Sequence, residues 1–379
     1  MLKLPPLSLY IHFPWCVKKC PYCDFNSHAL REKIPDDNYL KHLIGDLQMH
    51  ETDMQGRQFK SIFLGGGTPS LFPSRTLGQI FEYLVQKQLI SDNSEITLEV
   101  NPGTVERGLF KDYQAMGINR ISLGVQSFQD TKLKKLGRIH CQKEIYLAVE
   151  QIIESGINNF NIDLMHGLPS QSIDDALFDL SQAIELNPTH ISWYQLTIEP
   201  NTSFARCPPE LPNESILESI ETYGKSLLEE NKFQQYEVSA YARNNLISTH
   251  NMNYWQFGDY IGIGAGAHSK ITNSKENIIK RHWKIKHPKF YMQSAHYRSG
   301  TEVIERDQRV YEFVLNALRL TSGFSYDLFE SRTGLDRNVL KMAIDKALEF
   351  QLIETNENYL IPNKRGKLYL NNLINLFSE

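Results

Sequence analysis

Along the first half of the chain, short apolar and β-branched runs alternate with longer stretches whose apolar residues recur at helical period. Strands are expected at Leu7–His12, Ser61–Leu64, Glu95–Val100, Arg120–Val125, Asn159–Leu164 and His190–Leu196. Amphipathic helices are expected between them, at Asn38–Asp53, Ser74–Gln88, Gln142–Gly156 and Ser172–Asn187. Pro73-Ser74 opens one of these helices and Asn187-Pro188 closes another. Repeated β–α alternation implies a parallel sheet, because each return to a parallel neighbour needs a crossover. Period alone leaves an open sheet and a barrel equally allowed. Polar and glycine clusters nevertheless follow the strands one after another, at Cys16–Cys23, Gly65-Gly66-Gly67, Glu99, Gln126, Asp163 and Glu199. Chemistry gathered at the carboxyl ends of successive strands is the habit of (β/α) barrels. The expected class is therefore α/β, a partial (β/α)6 TIM-type barrel with a smaller C-terminal domain.

The alternation fades after about Pro200. Arg206–Pro209 reads as a loop, Glu214–Asn231 as a helix, and Tyr236–Ala242 and Ile261–Ile271 as strands of an antiparallel arrangement. Helical period returns at Gln308–Leu320, Tyr326–Ser331 and Arg337–Phe350. Two short apolar runs then flank Asn356-Glu357-Asn358, and a last helix spans Gly366–Phe377. The expected organisation is a core barrel over 1–235, a connecting antiparallel segment over 236–305 and a C-terminal α+β, winged-helix-like domain over 306–379. Residues 325–379 hold eight Asp/Glu against seven Lys/Arg. That balance lacks the basic footprint of a nucleic-acid binder and favours a packing or docking role.

Composition narrows the class further. The 379 residues carry a formal charge of −4, which steers the chain toward neither nucleic acid nor an anionic membrane. No apolar run is long enough to cross a bilayer, and the start has no hydrophobic signal core, so a cytoplasmic protein is expected. Three of the five cysteines fall within eight residues, which points to metal rather than disulfides.

The strongest chemistry is Cys16-Val17-Lys18-Lys19-Cys20-Pro21-Tyr22-Cys23. Three thiolates on one loop can hold three corners of a [4Fe–4S] cluster and leave one iron open to a chelating amine and carboxylate. The alternative is a Cys₃His zinc site closed by His12 or His28. Zinc ribbons, however, pair two-residue spacings, whereas here three residues and then two separate the cysteines. The glycine run offers close approach to backbone N–H groups, or simply a tight turn. Glu99 and Asp163 end strands, where burial would demand partners. Arg138 offers a fork for a carboxylate.

With this spacing the chain resembles the radical S-adenosylmethionine (SAM) family. The likeness sharpens through Tyr10-Ile11-His12-Phe13-Pro14, Gly65-Gly66-Gly67-Thr68-Pro69-Ser70, Glu99-Val100-Asn101-Pro102, Gly124-Val125-Gln126-Ser127-Phe128, Leu136-Gly137-Arg138 and Asp163–Pro169. Together these resemble the oxygen-independent coproporphyrinogen III oxidase group. The resemblance implies a [4Fe–4S] cluster on Cys16, Cys20 and Cys23. It implies SAM contacts from Tyr10, Tyr22, Gly66, Gly67, Thr68, Glu99, Gln126, Arg138 and Asp163.

The oxidases carry a further cysteine two positions after the third and a longer N-terminal arm. Here Phe25 holds that position and the chain starts 15 residues before Cys16. His250-Asn251-Met252-Asn253-Tyr254-Trp255 instead matches the His-Asn-x-x-Tyr-Trp signature of the heme-chaperone branch of the group. That branch implies a protein that binds heme and passes it to respiratory cytochromes, oxidoreductases or other heme-requiring apoproteins. It also allows a homodimer, and membrane contact only through partners. His250 would then ligate heme, with Tyr254 and Trp255 against the porphyrin; a buried histidine in an aromatic cluster is the other reading. Weaker heme-ligand candidates are Cys207, read first as a chance loop cysteine, and Cys141, inside a helical pattern and read first as a small core residue; His166 and His268, beside glycines at strand ends, are unranked.

Overall fold

The computed structural model describes residues 1–104 and 109–378. Six parallel strands stand side by side in chain order: β1 (Leu7–Phe13), β2 (Phe59–Gly66), β3 (Ile90–Val100), β4 (Arg120–Gln126), β5 (Asn159–His166) and β6 (His190–Gln195). The helices α1 (Asp36–Gln48), α2 (Ser74–Gln86), α3 (Leu109–Ala115), α4 (Asp130–Lys135), α5 (Gln142–Glu154) and α6 (Ile173–Glu185) return the chain between them. Side-chain alternation explains why the sheet curls with helices on one face only. On β1, Leu7, Leu9, Ile11 and Phe13 join Tyr39 and Leu43 of α1 in the main core. Ser8, Tyr10 and His12 point the other way, into the barrel. The interior is accordingly polar: the Ser8 and Ser61 hydroxyls lie 2.7 Å apart, and Asn161 donates to Ser122 at 2.8 Å.

The sheet does not stop at six strands. Beyond β6, the short antiparallel strands β7 (Gln234–Gln235) and β8 (Ala240–Ala242) cover one edge, after the helix α7 (Glu214–Glu230). The helix α8 (Thr249–Trp255) then leads to the opposite edge, where β9 (Asp259–Ile263) pairs parallel with β1. The strands β10 (His268–Asn273), β11 (Ile278–Lys284) and β12 (Arg298–Ile304) extend that edge antiparallel. Residues 236–305 thus continue the barrel's own sheet at both edges, and β9 runs parallel where an antiparallel segment was expected. The single strand expected at Ile261–Ile271 is two strands, broken where Gly264 and Gly266 take positive φ of 98° and 80°. A Cβ on Gly264 would sit 2.5 Å from the His12 carbonyl oxygen, so the turn closes directly against β1.

After β12 come α9 (Gln308–Ala317), α10 (Tyr326–Thr333) and α11 (Lys341–Glu349). A small sheet of β13 (Phe324–Ser325), β14 (Ile353–Thr355) and β15 (Tyr359–Pro362) is ordered β13-β15-β14. This is the helix–helix–hairpin pattern read from the sequence, with its own core around Phe313, Phe329 and Leu360. The last expected helix is split at Tyr369, whose ψ of 41° interrupts it.

The added edge is anchored by Asp259, which is fully buried at the start of β9. Its carboxylate accepts from Arg57 Nη1 at 2.8 Å, Lys270 Nζ at 3.1 Å, the Thr272 amide at 2.9 Å and the Thr272 hydroxyl at 2.8 Å. Removing it strands two cations inside protein. Asp259→Ala is expected to lower stability by about 3–5 kcal/mol, read as a shift of the urea unfolding midpoint.

Candidate cluster and nucleotide site

The chain leaving β1 forms the cluster loop. Trp15-Cys16 pairs with His28-Ala29, so the loop is closed at its base, and Cys23 N donates to Cys20 O at 3.1 Å to turn it. The loop lies on the glycine run that ends β2. Gly67 N donates to Phe13 O and Thr68 N to Trp15 O, both at 2.7 Å. A Cβ on Gly67 would come within 2.3 Å of the Trp15 carbonyl oxygen, and one on Gly66 within 2.4 Å of the His12 ring. The glycines are therefore required by the cluster loop itself. Of the two expected roles, ligand donors or a tight turn, the turn is what forms: Gly66 N donates to the Glu99 carboxylate at 3.0 Å, Gly67 N to Phe13 O and Thr68 N to Trp15 O. The run offers a ligand close approach rather than N–H donors.

Above the carboxyl ends of the strands opens a cavity of about 380 Å³, the size of a small-ligand site. Cys16, Cys20, Cys23, Tyr22, Gly66, Gly67, Thr68, Glu99, Gln126, Arg138 and Asp163 all border it. Burial pushes the Cys16 and Cys23 thiols up, so thiolates there need a cation. Among the described residues no three His, Cys, Asp or Glu side chains meet closely enough to share one metal ion. Both ring nitrogens of His12 are already bonded, to Tyr10 Oη and Asn26 O, each at 2.9 Å. His12 is therefore not free to close a Cys₃His zinc site, and His28 packs on the His287 ring at 5.3 Å without bordering the cavity, whereas three thiols on that cavity suit a larger cluster.

The remaining walls carry opposite charge. Glu99 is pushed up to about 7 by burial and by Asp163 beside it. Burial also raises Asp163, which Ser122 (2.9 Å) and Asn161 (2.8 Å) hold by hydrogen bonds. Across from them, Arg138 donates to Gly124 O at 2.7 Å and contacts Cys20 Sγ at 3.8 Å, while its buried Nε has no partner. A Cβ on Gly124 would lie 3.2 Å from Gln126 Nε2 and 3.3 Å from Arg138 Nη2. Gln126 itself takes a left-handed φ of 69° at a break in strand register, a strained conformation of the kind found at ligand sites. Two carboxylates facing an underused guanidinium suit a ligand carrying both a cationic centre and a carboxylate.

Tyr10, His250, Tyr254 and Trp255 do not border the cavity. Tyr10 lies deeper in the barrel, against Phe63. His250 is 2% exposed, with Phe63 at 4.9 Å and Tyr254 at 5.0 Å from its ring centre. Burial pushes its pKa down to about 3. The Trp255 ring lies under Arg319 at 5.1 Å. The expected heme ligand thus sits inside an aromatic cluster at the amino-terminal end of the barrel, away from the cluster loop. Of the other candidates, Cys207 is exposed, and Cys141 is the N-cap residue of α5 rather than a residue within the helix. His166 is buried against Trp193, while His268 is exposed at a strand end. Ser122, Asn161 and Tyr194 escaped the sequence reading. Ser122 shares a face of β4 with Gly124, and that parity was the one signal that marked it.

This arrangement of cluster loop, glycine run and strand-end carboxylates defines a radical SAM protein, and residues 10–180 match the Radical SAM superfamily. Membership implies a [4Fe–4S] cluster and SAM. Residues 304–369 match the HemN C-terminal domain. The fold is shared with coproporphyrinogen III oxidase (HemN) from Escherichia coli, at a TM-score of 0.83 and 23% identity over 99% of this chain and 90% of that one. The chain belongs to the HemW family. It is 48% identical over 377 residues to the heme chaperone HemW of Escherichia coli (strain K12), covering 100% of this chain and 99% of that protein. It is 49% identical over 381 residues to HemW of Haemophilus influenzae, with 100% and 99% covered, and 33% identical to HemW of Bacillus subtilis, with 98% of each covered.

The raised Glu99 has a measurable consequence. Without ligand its carboxyl is neutral below about 7 and charged above, so its contribution to stability is full below the ordinary carboxyl pKa and is lost as pH rises through 7. A cationic ligand reverses the preference and favours the carboxylate. SAM affinity of the reconstituted protein is expected to rise by up to about tenfold per pH unit on the acid side of that value. Glu99→Gln should flatten this dependence in calorimetric titrations; an unchanged slope would exclude Glu99 from the cationic contact.

Proposed function

We propose that this protein is a heme chaperone that takes up heme and delivers it to heme-requiring apoproteins, respiratory cytochromes or oxidoreductases among them. The observation that carries the reading is full-length identity of 48% to a heme chaperone, without gaps in coverage at either domain. The thiols Cys16, Cys20 and Cys23 would hold the cluster. Glu99 and Asp163 would face the cationic part of SAM, and Arg138 its carboxylate. Phe25, where the oxidases carry a fourth cysteine, supports carriage over porphyrinogen decarboxylation.

The mouth of the cavity supports the same reading. Val17, Phe25 and Ile139 are 45%, 59% and 41% exposed there, beside Lys18 and Lys19. Exposed apolar side chains next to ammonium groups suit a flat macrocycle with carboxylate tails. Heme contact is accordingly assigned to this rim in place of the buried His250, Tyr254 and Trp255. Among the described residues no helix is long and apolar enough to cross a membrane. Work in the cytoplasm, with membranes reached only through client proteins, fits that finding, and a second copy of the chain is a candidate partner.

Delivery is the deciding measurement. Anaerobically reconstituted, heme-loaded protein mixed with an apo-cytochrome should lose its own heme absorbance as cytochrome absorbance grows. Cys20→Ser should lose iron and its SAM-dependent signal. A protein that neither retains nor donates heme, or that turns over coproporphyrinogen, would overturn the chaperone reading.

A further inference from the structure

The His-Asn-x-x-Tyr-Trp motif and the cluster loop lie at opposite ends of the barrel, yet a continuous line of contacts joins them. At the lower end, Glu95 accepts from the Thr249 and His250 amides, both at 2.9 Å, and so fixes the start of α8 to β3. The His250 ring then enters the barrel. Its Nδ1 meets Ser61 Oγ at 2.9 Å, and its face stacks on Phe63 at 4.9 Å with an interplanar angle of 25°. Phe63 in turn stacks on Tyr10 at 6.2 Å and 25°. The Tyr10 hydroxyl reaches His12 Nδ1 at 2.9 Å, and His12 Nε2 reaches the Asn26 carbonyl at 2.9 Å. Asn26 follows the third cluster cysteine by three residues.

The direction of these bonds is fixed by chemistry. A carbonyl oxygen only accepts, so His12 Nε2 carries the proton. Burial lowers the His12 pKa and keeps the ring neutral, which makes Nδ1 an acceptor and Tyr10 the donor. The same ring fills the space over Gly66, where a Cβ would lie 2.4 Å away. His12 therefore sets both the outgoing limb of the cluster loop and the glycine run beneath it. Asn26 is clamped from its other side by donating to Ala265 O at 2.9 Å and Lys286 O at 2.8 Å.

We propose that His250 is a positioning residue for the cluster loop, acting through the Phe63–Tyr10–His12 column inside the barrel. The motif then serves the SAM site from below, and its histidine contributes a ring of defined shape rather than a ligand for iron. This inference rests on the reading of the upper cavity as a cluster and SAM site, and it is independent of whether heme is delivered.

The test uses the full chain, reconstituted anaerobically. Three variants are compared: His250→Ala, His250→Phe and Tyr10→Phe. Iron content should stay at the unmodified level in all of them, because the three cysteines are untouched. In His250→Ala, SAM binding should weaken by about tenfold, and the SAM-induced change in the reduced-cluster EPR spectrum should shrink. His250→Phe keeps a ring on Phe63 and should recover most of both. Tyr10→Phe removes only the donor to His12 and should reproduce the defect, and it carries the test alone if His250→Ala fails to fold. Heme uptake should be unchanged in every variant. Unaltered SAM affinity and EPR spectra in the folded variants would overturn the proposal, and loss of heme uptake alone would mark His250 as a heme contact instead. If the unmodified protein shows no SAM-sensitive signal, the reading of the cavity fails first and takes this inference with it.

Discussion

The cluster loop is placed by backbone contact with the strand beside it. The amides of Gly67 and Thr68, just past β2, bond directly to the carbonyls of Phe13 and Trp15, an approach that a Cβ at position 67 would block. Every other feature of the site takes its position from that contact. It brings the three thiols over the carboxyl ends of the strands, where Glu99, Gln126 and Asp163 emerge. It also sets Gly66 against the His12 ring, so the loop is supported from inside the barrel as well as from its neighbour. Backbone bonds between parallel neighbours are rigid and insensitive to side-chain chemistry. A site that must present three thiols at fixed spacing gains from resting on them.

The cavity is electrostatically incomplete without a ligand. Two carboxylates share one wall, and burial makes both reluctant to ionise. The guanidinium of Arg138 is buried with one N–H unpartnered. Such groups destabilise an empty site and are satisfied by a ligand that carries the complementary charges, which is how binding energy is stored in a preformed pocket. The same logic separates this cavity from the buried charges elsewhere. Asp259 and its cations are mutually satisfied in place and hold the sheet together. Burial alone marks neither site as functional; the cavity differs in setting two reluctant carboxyls and an unpartnered Arg138 Nε around open space.

Much of this was legible in the sequence, for physical reasons that differ from residue to residue. The six parallel strands follow from apolar periodicity, and the cysteine spacing carries its own chemistry. Glu99 and Asp163 stood out because a carboxylate at a strand end has to be paid for by a partner. What the sequence concealed depends on the third dimension. Nothing local tells that the amides of Gly66 and Gly67 are consumed by Glu99 and β1, or that Gln126 is left-handed. The apolar run Ile261–Ile271 read as one strand because its Ala and Gly residues interrupt no pattern, although two of those glycines turn the chain. Residues 236–305 looked like a separate antiparallel segment because short strands at opposite sheet edges share no periodic signal. The position of His250 was hidden for the same reason: its neighbours come from β2, far away in sequence.

That position bears on how one scaffold can host both synthesis and carriage of tetrapyrroles. The fold is shared with an oxidase at 23% identity, so the barrel itself does not choose between these tasks. Two features of this chain lie at the two ends of the interior. At the upper end, Val17, Phe25 and Ile139 form an exposed apolar rim. At the lower end, α8 closes the barrel with an aromatic cluster and a neutral histidine. A residue so enclosed cannot meet a macrocycle without the barrel opening, yet it lies two ring contacts from the hydroxyl that orients His12. On the proposed reading, cargo contact would fall to the open rim, and the buried motif would support the cluster site above it.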